Sequence, residues 1–234
     1  MMHIGVLQTD SVLPEFQGEH GDYPQMFETL FGEVDPQLRF TSYNVQLAAP
    51  ENIECDAYVI TGSRHSVYDD LPWIAPLVKF LGDVLAARRR IIGVCFGHQL
   101  MAHFFGGRVA PAVAGWAVGV HRSEVIRRCS WMPDDASGFA LLSSHKDQVV
   151  ELPEGAELYL SNDFCPIAGF TMGREVITVQ SHPEFHKPYA ADLMKHRREI
   201  LGEALYQSGI ESLSVDTNAT TMARWLLAFA QGRT

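Results

Sequence analysis

Short runs of apolar residues alternate along the chain with longer stretches in which apolar residues recur at helical spacing. Continuous apolar runs of this kind predict buried strands, and the helical spacing predicts helices that pack one face against a core. Strands are predicted at residues 3–8, 39–45, 56–60, 91–94 and 175–180. Helices are predicted at residues 24–31, 73–89, 96–105, 189–206 and 218–230. Thr217 is the expected cap of the last helix, and residues 9–23 are predicted to form a long loop.

Strands and helices alternate through the first part of this pattern, which is typical of an open sheet with helices on both faces. The prediction is therefore an α/β fold with a mostly parallel, flavodoxin-like sheet. Between residues 107 and 150 the apolar runs are short and are broken by glycine and proline, which predicts a small antiparallel β excursion. We expect a single domain over residues 1–234, with a core at 1–186 and a C-terminal helical extension at 187–234.

Charge and composition exclude several partners and locations. The chain has 234 residues and a formal net charge of −10, so it lacks the basic face that nucleic-acid binding requires. The basic run at residues 88–90 falls where a helix is predicted to end, and positive charge there complements the helix dipole. No stretch approaches the roughly 18 apolar residues of a membrane span, and no signal peptide is expected. The four cysteines form no C-x-x-C pair, which indicates a reduced protein in the cytoplasm.

Cys95 stands at the joint between the strand at 91–94 and the helix that follows it. Gly93 and Gly97 flank it at two residues on either side. This is the pattern of a nucleophile elbow, in which small neighbours allow a strained turn to expose one side chain. A cysteine at a helix N-terminus is also favoured as the thiolate. The alternative is a buried structural cysteine, because free cysteine is among the most buried residue types.

A cysteine nucleophile needs a base and a group that orients the base. His182 follows the predicted strand at 175–180, so it emerges at the same sheet edge as Cys95. Pro183 keeps the preceding residue extended and ends the strand. Glu184 can turn back toward one imidazole nitrogen and leave the other for the thiol. The sequence therefore predicts a catalytic triad of Cys95, His182 and Glu184.

Two other kinds of site compete with this triad. His182 and His186 are four residues apart, and His98 and His103 lie close to the cysteine, so a metal site is one alternative. Pro183 breaks the helix that the first pair would need, and the second pair does not share a helix face. The other alternative is an α/β-hydrolase, whose elbow has the same pattern but whose acid precedes the histidine in sequence.

Two motifs carry a family resemblance. Residues 93–99 and 180–185, Gly-Val-Cys-Phe-Gly-His-Gln and Gln-Ser-His-Pro-Glu-Phe, resemble the paired signature of class I, triad-type glutamine amidotransferases. The likeness is greatest to stand-alone amidotransferases of the GMP-synthase type. Further segments that agree with that family are Thr61-Gly62-Ser63, Gly115-Trp116 with Gly119, and Ser144-His145-Lys146-Asp147-Gln148-Val149. The family's usual tyrosine after the cysteine is Phe96 here, and Ser63-Arg64 replaces the Gly-Pro of many members.

The resemblance implies hydrolysis of the glutamine side-chain amide through a thioester on the cysteine. It places the oxyanion hole at the backbone N–H groups of Gly62 and Phe96. Gln99, Ser144 and His145 would bind substrate, although a solvated loop is the alternative for the last two. Neither a cofactor nor a metal is implied.

No phosphate-binding loop of a synthetase occurs in the sequence, so the resemblance implies a separate ATP-dependent synthetase as the partner that takes the ammonia. Two alternatives stay open at this point. One is a γ-glutamyl peptidase that uses the same triad, and the other is a catalytically idle binding module on the same fold.

Overall fold

The structure is a computed structural model that describes residues 1–232 of the chain. The strands in this part are β1 (His3–Gln8), β2 (Arg39–Asn44), β3 (Ala57–Ile60), β4 (Arg90–Val94), β5 (Arg108–Pro111), β6 (Ala117–Val125), β7 (Gly138–His145), β8 (Asp147–Glu151), β9 (Ala156–Ser161), β10 (Gly169–Met172) and β11 (Val176–Val179). The helices are α1 (Pro14–His20), α2 (Tyr23–Gly32), α3 (Ile74–Ala86), α4 (Phe96–Phe104), α5 (Lys187–His196), α6 (Arg198–Leu201), α7 (Glu203–Ser212) and α8 (Ala219–Ala230).

Nine strands form one sheet in the order β2-β1-β3-β4-β11-β10-β9-β6-β7. The first five are parallel and have the doubly wound order of flavodoxin-like sheets. The last four are antiparallel, and β5 and β8 form a separate two-stranded sheet. The predicted α/β fold with a mostly parallel sheet and an antiparallel excursion is therefore confirmed. The excursion is larger than predicted, because β9 and β10 lie beyond its expected end at residue 150.

Helices cover both faces of the parallel half, as predicted. Consecutive residues of a strand point to opposite faces, so Ile91 packs into one hydrophobic layer and Ile92 into the other. α2 and α8 cover the face of Ile92 with the buried side chains of Phe27 and Trp225. α3 and α4 cover the face of Ile91, where Leu77 is buried. Burial on both faces explains why these strands are continuous apolar runs.

The antiparallel half brings more of the chain to the edge where the parallel strands end. β7 points in the same direction as β11, and β6 points in the opposite direction, so the end of β7 and the start of β6 both reach that edge. This half also curls back toward β11. Leu142 of β7 forms an isolated antiparallel bridge with His182, and the N–H of His182 donates to the Leu142 carbonyl at 2.7 Å.

The C-terminal helices differ from the prediction in two respects. The stretch predicted as one helix at 189–206 is three helices, separated at Arg197 and at Gly202, whose φ of 76° favours glycine. The predicted cap Thr217 is also wrong, because Asn218 is the N-cap of α8. Asn218 makes no capping bond, since its side chain accepts from the N–H of Ala140 at 2.8 Å and its own N–H donates to the Ala140 carbonyl.

These contacts join α8 to β7, and α8 lies inside the largest hydrophobic cluster. The last two positions of the predicted extension, 233 and 234, lie outside the described residues.

Two further boundaries are corrected. The predicted loop at 9–23 contains helix α1, which begins at Pro14. The helix predicted at 73–89 ends at Ala86, so the basic run follows the helix instead of closing it. Arg88 there has a φ of 55° and pairs with Glu175 at 2.9 Å. Within residues 1–232, every helix is too short or too polar to cross a membrane.

Candidate active site

Cys95 occupies a strained turn between β4 and α4. Its φ of 51° lies in the region that favours glycine, and its side chain is 4% exposed. The two flanking glycines make this turn possible. A Cβ atom on Gly93 would lie 2.7 Å from the carbonyl oxygen of Gly97, and a Cβ atom on Gly97 would lie 2.7 Å from the Cβ of Ile60. The elbow therefore needs glycine at both positions because the backbone passes too close for any side chain.

His182 and Glu184 lie beside Cys95 at the same sheet edge. Strand β4 leads to Cys95 and strand β11 leads to His182, and these two strands are hydrogen-bonded neighbours. The N–H of Cys95 donates to the Val179 carbonyl at 3.0 Å. Nδ1 of His182 donates to Oε1 of Glu184 at 2.7 Å, and both residues are buried. Cys95 lies close enough to His182 to contribute to the raised pKa of its imidazole. The structure thus brings all three candidate triad residues together at one edge of the sheet, with His182 bonded to Glu184.

The electrostatics of this trio favour a charged imidazole. Burial alone lowers the pKa of His182, but the charges of Glu184 and Cys95 outweigh burial and raise this pKa to about 10. Phe185 stacks on the other side of the imidazole, with ring centroids 3.9 Å apart and planes inclined by 11°. His182 is therefore held by a hydrogen bond in its plane and by an aromatic ring over its face.

The two candidate oxyanion donors flank the cysteine. Gly62 follows the end of β3, and a Cβ atom there would lie 3.6 Å from the Cβ of Cys95 and 2.8 Å from Cε1 of His182. Only glycine fits in this position. Phe96 is the first residue of α4, so its N–H belongs to the group that a helix leaves without an intrahelical partner.

The candidate substrate-binding residues lie around Cys95 but differ in their hydrogen bonds and burial. Gln99 is buried, and its Nε2 already donates to the Asp147 carbonyl at 2.8 Å and to Oε1 of Gln180 at 3.1 Å. The hydroxyl of Ser144 accepts from Arg197 at 2.8 Å. His145 is buried, which lowers its pKa to about 3 and keeps the ring neutral. Gln99, Ser144 and His145 all line the cavity that contains Cys95.

The histidines of the alternative metal site are not gathered at one point. Nδ1 of His98 pairs with the Thr178 hydroxyl at 2.8 Å, and burial lowers the pKa of His98 to about 3. His186 is the N-cap of α5 and accepts from the N–H of Tyr189. Within the described residues, the one group with ligand atoms close enough for a metal is Glu19, His20 and Asp192, whose ligand atoms lie within 4.8 Å of one another.

Several residues around Cys95 were not singled out from the sequence. The cavity that contains Cys95, here called the inner cavity, has a volume of about 30 Å³. A second cavity of about 350 Å³, here called the outer cavity, lies against it. Four side chains line both cavities and stand between them: Arg64, Trp116, Lys146 and Arg197. Lys146 stands in the family-like segment at 144–149 but was given no role, and Arg197 lies outside every motif, so only the fold shows that both reach this site.

Comparisons with known proteins agree with this geometry. The model of the family "Glutamine amidotransferase class-I" matches residues 24–197. Gamma-glutamyl peptidase 3 of Arabidopsis thaliana is 29% identical over 176 residues, which are 72% of this chain and 71% of that protein. The GMP synthase of Enterococcus faecalis is 33% identical over 161 residues, which are 68% of this chain but 29% of that protein. A glutamine amidotransferase from Thermotoga maritima has a similar crystal structure, with a TM-score of 0.76 at 18% identity over 100% of this chain and 98% of that chain.

Proposed function

Because the chain belongs to the class I glutamine amidotransferases, we propose that it hydrolyses γ-glutamyl amide bonds through a thioester on Cys95. The observation that carries this proposal is the grouping of Cys95, His182 and Glu184 at one sheet edge, with His182 hydrogen-bonded to Glu184. A structural cysteine would not need a strained turn or a buried charged imidazole beside it. Membership of this family also excludes the alternative that the turn at Cys95 is the nucleophile elbow of an α/β-hydrolase.

In the proposed first step, the thiolate of Cys95 attacks the side-chain amide carbon of the γ-glutamyl group and forms a C–S bond. The carbonyl electrons move to the oxygen, which the N–H groups of Gly62 and Phe96 stabilise, an effect commonly worth about 3 kcal/mol per donor. His182 then gives its proton to the amide nitrogen, the C–N bond breaks, and ammonia or an amine leaves.

In the second step, water attacks the thioester and gives a proton to His182. The C–S bond breaks, glutamate leaves, and the thiolate of Cys95 is restored. Glu184 stabilises the charged imidazole in both steps and fixes which nitrogen faces the cysteine. We assign Gln99, Ser144 and His145 to the pocket that holds the amino-acid end of the substrate, with Gln99 acting mainly through the loop that its amide supports.

Our first candidate substrate is glutamine, with the ammonia passed to a separate ATP-dependent synthetase. Family membership and the likeness to GMP synthase support it. That likeness spans 29% of the synthase, and the proposal assigns the ammonia-using step to a synthetase outside residues 1–234. The cysteines at 55, 95, 129 and 165 are all free, which suits a reducing compartment such as the cytoplasm.

A specific observation favours a second candidate, a γ-glutamyl peptidase. Ammonia is small, yet the inner cavity adjoins an outer cavity of about 350 Å³ on the far side of the four shared side chains. That volume suits an amino acid or short peptide as the leaving group. Gamma-glutamyl peptidase 3 is also similar over most of both chains.

The deciding experiment compares glutamine with γ-glutamyl dipeptides, measured as glutamate release by the wild type and by Cys95→Ala. We expect release by the wild type from at least one of them and none by the variant. Alkylation of Cys95 by a glutamine-like electrophile checks the nucleophile independently. The proposal fails if the wild type releases glutamate from neither substrate, with or without a candidate synthetase, and Cys95 resists the electrophile.

A further inference from the structure

We propose that the outer cavity is a leaving-group subsite that recognises a free carboxylate, with Lys146 and Arg197 as the groups that bind it. The inference rests on the proposed function, since it concerns the part of a γ-glutamyl substrate beyond the bond that Cys95 attacks. It names the substrate class as γ-glutamyl amino acids or short γ-glutamyl peptides whose C-terminal carboxylate is free.

The position of the cavity defines which part of the substrate reaches it. The inner cavity is too small for a whole peptide, so a substrate that places its amide carbon at Cys95 must extend past the shared side chains. Those side chains, Arg64, Lys146 and Arg197 with Trp116, also line the outer cavity. A leaving group beyond the scissile nitrogen would therefore lie among three cations.

Some of the basic side chains that line the outer cavity have an acidic partner in the described part of the chain, and others have none there. Arg64 is neutralised by Asp10, with Nε at 2.7 Å from one carboxylate oxygen and Nη2 at 2.9 Å from the other. His196 lies 3.8 Å from a carboxylate oxygen of Glu15. Among the residues that the structure describes, Lys146 and Arg197 take part in no ion pair.

Within the described residues, the positive charges of Lys146 and Arg197 therefore line the cavity without an ion-pair partner. The formal net charge of the whole chain is −10. Oppositely charged ligands are drawn to such a cleft.

Arg197 is held ready to bind an anion. It lies at the junction of α5 and α6, its guanidinium is 5.2 Å from the centre of the Trp116 ring, and Nη1 donates to the neutral hydroxyl of Ser144. A guanidinium has five N–H donors, so most of them are left for a ligand. Lys146 is exposed and adds a second positive charge to the lining of the same cavity.

Part of the cavity wall is formed by apolar and aromatic side chains, which suit the side chain of a leaving amino acid. Tyr189, Leu193 and Ile200 line it from the C-terminal helices, and Tyr23 lines it from α2. The two tyrosine hydroxyls lie 3.2 Å apart, and burial raises the pKa of both, so they stay neutral. A leaving amino acid can thus place an apolar side chain on this wall and its carboxylate toward Lys146 and Arg197.

The test compares γ-glutamyl-leucine with γ-glutamyl-leucinamide, which lacks the carboxylate charge. We expect the wild type to have a kcat/KM roughly tenfold to a hundredfold higher for the free acid, the size of one or two hydrogen bonds to a charged group. In Lys146→Met and Arg197→Met this preference should fall toward one, mainly through KM. Lys146→Met keeps the test valid if the loss of Arg197 disturbs folding, because the exposed Lys146 side chain supports no other element.

Arg198→Met is the matched control, since Arg198 is the next residue and its guanidinium pairs with Glu203 on the surface. It should keep the full preference. Equal turnover of the acid and the amide overturns the inference and leaves the proposed function intact. A KM increase of equal size for glutamine and for both dipeptides also overturns it, because the cations would then bind the γ-glutamyl end. Release of glutamate from none of the three contradicts the proposed function itself.

Discussion

Phe185 lies flat against His182, with ring centroids 3.9 Å apart and planes inclined by 11°. Glu184 bonds the edge of the same imidazole at 2.7 Å. Consecutive residues thus restrain the ring in two perpendicular directions. The hydrogen bond fixes its rotation within the plane, and the aromatic ring prevents it from tilting away from Cys95.

The first prediction concerns this stacking. In Phe185→Leu the imidazole is free to tilt, so we expect kcat to fall by about tenfold or more with a smaller change in KM, since small misplacements of a catalytic group are costly. Steady-state kinetics on whichever substrate is turned over measures this split. Phe185→Tyr keeps a flat ring and should recover most of kcat. Equal loss in both variants would show that the ring only fills space.

The strained turn at Cys95 predicts an unusual order of stability. The φ of 51° suits glycine, so Cys95→Gly should be more stable than Cys95→Ala by about 1 kcal/mol, although glycine usually destabilises relative to alanine. For a chain of this length such a gain raises Tm by roughly 2 to 4 °C. Calorimetry of the two variants makes the comparison. A higher Tm for Cys95→Ala would mean that the turn relaxes when the thiol is removed.

Glu184→Gln should flatten the pH dependence of stability. Burial lowers the pKa of His182, but Glu184 and Cys95 together raise it from 6.5 to about 10. A histidine with a raised folded pKa contributes stability that is fully present below pH 6.5 and is lost as the pH rises through 10. Removal of the Glu184 charge should lower the folded pKa of His182 and so reduce that loss. Urea unfolding of both proteins across this pH range measures it, and parallel curves would contradict the prediction.

Asn218 should contribute more to the stability of the fold than Thr217, which the sequence pattern predicts as the helix cap. Asn218→Ala removes the side-chain bond to the N–H of Ala140 and leaves that group buried, which should cost about 1 to 3 kcal/mol in the free energy of unfolding. Thr217→Ala is the matched control and should change it by less than about 0.5 kcal/mol. Urea denaturation of both variants compares them. Similar losses of stability in the two variants would show that the hydrogen bond between Asn218 and β7 adds little to the stability of the fold.

The parallel half of the fold could be predicted because its signals are local. Strands buried on both faces are continuous apolar runs, and β4 and β11 are recognisable without reference to any other part of the chain. The antiparallel half was harder to predict. β6 has an irregular burial pattern, and the bridge between Leu142 and His182 joins segments that no periodicity connects.

The same distinction applies to the candidate site. Cys95, His182 and Glu184 stand in two short motifs, at 93–99 and 180–185, whose residue types and spacing are sufficient to predict a nucleophile, a base and an orienting acid. Arg197 and Lys146 come from a helix junction and a strand turn, and an arginine or lysine at such places is usually solvated. Only the curled sheet and the C-terminal helices bring them to the mouth of the inner cavity. The helix pattern at 189–206 also concealed the break at Arg197 that aims this side chain inward.

The pairing of β4 with β11 has a consequence for the newly made protein. Chains emerge from the ribosome N-terminus first, so Cys95 is exposed to the cell long before residues 176–184 have been translated. Until then the thiol has neither its base nor the strand that holds its turn. The thioester proposed for Cys95 therefore cannot form on the nascent chain, and the proposed amide cleavage requires that nearly the whole sheet has been synthesised and closed.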